Sequence, residues 1–136
     1  MPDAVMFHYQ HKAHTIYFSQ SKAVLPVRLK NGDVTLVTWG RRLREESSMP
    51  LGGWALHNAI HEGRWTYFKP KPVKLAIEKF MQIDYENHIQ WYEIIKGQWI
   101  QGVLLQEERE CRVYIMTVIP ERLDIYYNRW PRIIIG

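Results

Sequence analysis

The chain has a single cysteine, Cys111, in 136 residues, so no intramolecular disulfide can staple the fold. It stands next to the strand-like run Val113-Tyr114-Ile115-Met116, which casts it as an inert, packed thiol. No apolar run approaches the roughly 18 residues that a membrane-spanning helix needs. The N-terminal residues also lack the apolar core of a secretory signal. Together these absences predict a cytoplasmic protein with no membrane partner. Internal repeats and low-complexity segments are missing too, as is the His-Glu-x-x-His motif of zinc hydrolases. His8, His11 and His14 have a three-residue spacing, and His57 and His61 would share a helical face. The first set has no carboxylates nearby and the second has no third ligand fixed by sequence, so neither a metal nor a cofactor is expected.

Aromatic residues are plentiful instead. Six tryptophans and eight tyrosines favour a β-rich fold and a surface able to stack on planar groups. A hydrophobic content of 46% and a charged content of 24% are ordinary for a globular chain, and this length fits one domain over residues 1–136. The net charge of +4 is compatible with a polyanionic partner without requiring one.

Taken in order, residues 1–14 read as a polar lead-in. Thr15–Phe18 and Val24–Leu29 read as strands, with Pro26 placing the second at an edge or a bend. Asn31-Gly32 is the clearest hairpin turn, and Val34–Trp39 alternates as the paired strand. Arg41, Arg42 and Arg44 then leave that strand, either as a solvated cluster neutralised by Glu45 and Glu46 or as a phosphate-facing lip beside Trp39. After a loop over 47–53, residues 54–62 read as one short helix ended by Gly63, and 64–68 as strand-like. Val73–Met81 has helical spacing that could hide a strand ending near Ile83. Ile89–Ile95 and Trp99–Leu105 read as a hairpin about Lys96-Gly97-Gln98, and Val113–Val118 as another strand. Pro120–Asp124 reads as a turn or short helix. This pattern predicts a β-dominated α+β fold, a twisted or barrel-like, mainly antiparallel sheet with one or two short helices.

Tyr126-Tyr127-Asn128-Arg129-Trp130-Pro131-Arg132 concentrates rings and guanidiniums before the apolar Ile133-Ile134-Ile135. Such a stretch suits a turn whose rings cap the core. It equally suits stacking on bases and holding anions.

The order of these pieces resembles the SOS response-associated peptidase (SRAP) family, from about Thr15 to Ile135. Four places carry the resemblance. Trp39-Gly40 ends a hairpin strand. Asn58-Ala59-Ile60-His61-Glu62 stands for an Asn-Ala-Arg-Ala-Glu segment. Lys79-Phe80-Met81-Gln82-Ile83 stands for Gly-Phe-Tyr-Glu-Trp. Tyr127-Asn128-Arg129-Trp130-Pro131 stands for His-Asp/Asn-Arg-Met-Pro. The family recognises abasic sites in single-stranded DNA through an N-terminal cysteine that closes a thiazolidine with the opened sugar, assisted by an Asn, a Glu and a His. This chain has Pro2 where that cysteine would be, Gln82 for the Glu and Tyr127 for the His. Exposed by removal of Met1, its secondary amine could form an iminium but has no thiol with which to close the ring. Gln is no general acid or base, and a phenol is a poor proton shuttle at neutral pH.

The resemblance therefore implies a non-catalytic domain that binds single-stranded or damaged DNA, with Trp39, Arg41, Arg42, Asn58 and Arg129 lining the groove. An enzyme of altered chemistry, using the Pro2 amine or a cluster of Asn58, His61, Glu62 and Tyr127, is the second expectation. A protein-interaction or structural domain is the third.

Overall fold

The computed structural model describes residues 2–120 and 129–136. Among these, the strands are β1 (Pro2–Tyr9), β2 (Lys12–Tyr17), β3 (Val24–Arg28), β4 (Val34–Trp39), β5 (Trp54–Leu56) and β6 (Lys71–Leu75). They continue as β7 (Lys79–Ile83), β8 (Ile89–Glu93), β9 (Gln98–Gln106), β10 (Cys111–Val118), β11 (Trp130–Pro131) and β12 (Ile133–Ile135). One short helix, α1 (His57–His61), and a 3-10 turn, Thr66–Phe68, complete the described elements. This bears out a β-dominated α+β fold.

The strands form two bodies. One is an antiparallel sheet in the order β2-β1-β7-β8. The other is a five-stranded barrel, β10-β4-β3-β6-β9, closed because β9 pairs with β10 as well as with β6. Its pairings are antiparallel except where β10 runs parallel to β4 and β5. Both bodies feed one core. Val5, Phe7 and Phe80 from the sheet pack with Leu25, Trp39, Leu75 and Ile100 from the barrel. A second cluster, with Met49, Leu105, Tyr114 and Met116, lies under Ile60, Trp65 and Phe68.

Several expectations are corrected. Residues 2–9 are not a lead-in but a central strand, because Ala4, Val5 and Phe7 are at most 1% exposed and fix it in the core. The polar Gln10-His11 pair is merely its turn, with both residues at positive φ (50° and 66°), which matches the twist of a two-residue hairpin. His8 donates its backbone N–H to the Glu78 carboxylate at 2.7 Å and bonds it again through its ring. Residues 54–62 are not one helix. Trp54–Leu56 pair with β10 as β5 first, because that puts Ala55 into the second cluster. Residues 64–68 find no partner strand among the described residues and close as turns, with Trp65 edge-on to Tyr114 at 5.1 Å.

The helical spacing at 73–81 does hide strands, β6 and β7, the second ending at Ile83 as the alternative reading had it. The turn at Gly97 exists (φ 90°), but β8 and β9 part into different bodies and the true hairpin partner of β9 is β10. Pro26 lies inside the barrel, not at an edge. Its carbonyl accepts the Ala76 N–H at 2.9 Å just past the end of β6, so its missing N–H falls where the ladder has ended. Cys111 is exposed and unbonded to another cysteine, not packed.

Candidate functional site

The best-connected polar site lies where β1 meets β7. Pro2 is the register partner of Gln82. Gln82 is fully buried, and its Nε2 donates to the Arg129 carbonyl at 3.0 Å. Its Oε1 has no partner among the described residues, an unusual state for a buried acceptor. The Pro2 carbonyl accepts the Trp54 indole N–H at 2.7 Å. Asp3 forms the bulge between Pro2 and Ala4, and burial raises its carboxyl above the usual carboxylate range. Pro2, Gln82 and Arg129 are thus drawn together from three separate stretches of chain.

Asn58 lies on α1 and Glu62 caps its C-terminal end; the helix stands over the end of β10. Leu56, just before the helix, pairs with Thr117, and Thr117 pairs with Pro131. The helix and the run from Arg129 to Arg132 therefore flank the same strand end. Asn58 is exposed; Glu62 is exposed and pairs with Arg64 at 3.3 Å. His57 and His61 stack at 6.2 Å. Burial, then the nearby Arg132 and His61 charges, lower the His57 imidazole below its ordinary value, so it is neutral at neutral pH. No group of three or more metal-ligating side chains occurs among the described residues. Tyr127 and Asn128 lie outside the described residues. Of the rings in that stretch, Trp130 caps the core, edge-on to Phe80 and Tyr92 at 5.2 and 4.9 Å.

The groove assigned to Trp39, Arg41 and Arg42 is corrected. Trp39 is fully buried and its indole N–H donates to Gly53 O at 2.9 Å, so no face of it is open to a base. Gly40 follows at φ 55°, and a Cβ there would sit 2.2 Å from Gly52 O; the Trp-Gly pair is a packing joint. Arg42 donates to the carbonyls of Phe18, Trp39 and Gly40 at 3.0, 2.7 and 3.1 Å and pairs with Glu45. Arg41 donates to the Glu45 and Met49 carbonyls. Arg112, which sequence reasoning did not single out, joins Glu45 at 2.6 Å. Burial works against the Glu45 charge, but hydrogen bonds from Arg42 and Arg112 outweigh it and hold the carboxyl down at about 2. These arginines pin a loop by satisfying carbonyls. They do not form a phosphate-facing lip.

Sequence reasoning also missed a set of cations that pair with no Asp or Glu side chain among the described residues. Arg28, Lys30, Lys71 and Lys74 line a cleft of about 460 Å³ between β3 and β6. They come from two distant stretches, Arg28 with Lys30 and Lys71 with Lys74, and the signal that could have found them is the absence of acidic residues from 69–77 and 22–30. Cys111 offers no nucleophile in compensation for Pro2. It starts β10, about 20 Å along the strand from the Pro131 end, and burial raises its thiol above the ordinary value. Compared with known proteins, the chain matches no family model, no curated protein and no solved structure.

Proposed function

We propose that the chain is an SRAP-like domain that binds single-stranded or damaged DNA without covalent chemistry. The meeting of Pro2, Gln82 and Arg129 is the observation that carries this reading. The resemblance matches the three to separate elements of the family's site: the N-terminal nucleophile, the Glu and the Arg. Nothing in their matching required them to meet. The groups present bind rather than react. Pro2 has no thiol, Gln82 holds no proton to exchange, and the exposed Cys111 lies at the other end of β10 with a protonated thiol. Arg129 has no side-chain ion pair or hydrogen bond among the described residues, which leaves its guanidinium for a phosphate.

Fluorescence anisotropy with labelled single-stranded oligonucleotides, intact and abasic, tests this. Binding is expected to be salt-sensitive and to leave no adduct that survives denaturing electrophoresis. Arg129→Ala is expected to weaken it about tenfold, the ~1.4 kcal/mol of one charge-assisted contact. No binding at low salt, or unchanged binding by Arg129→Ala, overturns the reading. An adduct trapped with borohydride would instead make Pro2 a nucleophile.

A further inference from the structure

The geometry points to the cleft between β3 and β6 as the track for the phosphates of a single DNA strand, a site separate from the Pro2–Gln82–Arg129 meeting point. This inference rests on the DNA-binding reading and names where the backbone runs. The cleft exists because β3 and β6 pair only at Val27↔Leu75 and Arg28↔Lys74 and then part. Val27, Val73 and Leu104 lie in its lining, and Arg28, Lys30, Lys71 and Lys74 supply its charge. A smaller cleft shares Pro72 and Gln101 with it and continues to His57 and His61 on α1. Arg132, bonded to Gln101, stands at that junction. The two clefts therefore adjoin at Pro72 and Gln101, and the second reaches the helix beside the Arg129–Arg132 run.

The charge along both clefts is of one sign. No Asp or Glu lines either cleft. Among the described residues no Asp or Glu side chain pairs with Arg28, Lys30, Lys71 or Lys74. Arg28 and Lys74 instead bracket the Trp99 ring, at 5.2 and 5.8 Å, which holds their heads in place without neutralising them. Lys74 also donates to the Gly136 carbonyl at 3.2 Å. The contrast with Arg41, Arg42 and Arg112 is sharp, since those cations are already occupied by Glu45 and by carbonyls. A row of unneutralised cations over an apolar lining suits a backbone of regularly spaced anions whose sugars and bases need somewhere to lie.

The test is the salt dependence of oligothymidylate binding. For single strands, log K falls against log salt with a slope of about −0.7 per phosphate contact. Lys30→Gln/Lys71→Gln removes two exposed cations that have no structural partner, and circular dichroism checks that the fold is kept. The slope is expected to shrink by about 1.4, while Lys12→Gln/Lys22→Gln, exposed at the start of β2 and on the turn before β3, leaves it unchanged. An unchanged slope in the Lys30/Lys71 variant, with wild-type binding intact and still sensitive to Arg129→Ala, overturns the track and spares the DNA-binding reading. Failure of the wild type to bind any oligonucleotide overturns both.

Discussion

Gln82 uses one half of its amide and leaves the other without a bond among the described residues. Its Nε2 satisfies the Arg129 carbonyl, and its Oε1 lies buried with no partner among the described residues. Introducing a carboxylate by Gln82→Glu would remove the donor and place an ionisable group at a site of 0% exposure. Burial raises such a carboxyl, so its stability cost grows as pH rises above the unfolded value of about 4.3. Urea denaturation of the variant is expected to show stability falling by about 1–3 kcal/mol more than in the wild type between acid and neutral pH. Glu45 runs the other way. Its folded carboxyl is held at about 2, below the ordinary 4.5. Its contribution is therefore complete above about 4.5 and lost as pH drops toward 2. In Glu45→Gln the acid limb of the stability–pH profile should flatten over that window. A profile identical to wild type would mean that Arg42 and Arg112 hold the loop without it.

At the scale of elements, the β1–β2 hairpin turns on Gln10 and His11, two side-chain-bearing residues at positive φ. Each is held there against a steric penalty that Asn and Gly largely escape. Gln10→Asn/His11→Gly is expected to stabilise the protein by about 1 kcal/mol, read as a higher urea midpoint at unchanged slope. This same turn explains what the sequence concealed. β3 and β4 were legible because Asn31-Gly32 announces their turn, with Asp33 N–H bonded to Asn31 Oδ1 at 2.9 Å. β1 was not, since its turn lacks those residues and its alternation is blurred by adjacent Ala4 and Val5. β5 was hidden for another reason. Trp54-Ala55-Leu56 carries no strand signal of its own and is extended only because β10 lies beside it. The partition of β8 and β9 into two bodies is likewise tertiary, since a hairpin turn between them is present and goes unused as a hairpin. In the candidate site, Arg129 and Gln82 were marked by motif position. The pinning of Arg41 and Arg42 was not visible, because their carbonyl partners are set by the loop's path and not by residue type.

At the scale of the molecule, the question is whether sheet and barrel unfold as one body. No strand pairing among the described residues joins the two, but they share a core: Phe7 is 1% exposed and sits in the same cluster as barrel residues Leu25, Trp39 and Ile100. Trp54 adds a hydrogen bond from β5 to Pro2 of the sheet. Neither body could keep its inner face dry alone, so the free energy of each depends on the other. Phe7→Ala removes a ring from that shared core and is expected to cost about 3–5 kcal/mol. The more telling readout is the shape of the transition. Tryptophans Trp39 and Trp54 report the barrel side and Trp91 the sheet, while far-ultraviolet circular dichroism reports both. If the core is common, every probe moves to the lower midpoint together and the transitions stay superimposed. Separated transitions, with the barrel signal left at the wild-type midpoint, would show two bodies that fold independently. The Pro2–Gln82–Arg129 meeting point, with Pro2 and Gln82 on the sheet and Arg129 just before the barrel-paired β11, would then lack the rigidity that a binding site spanning both bodies requires.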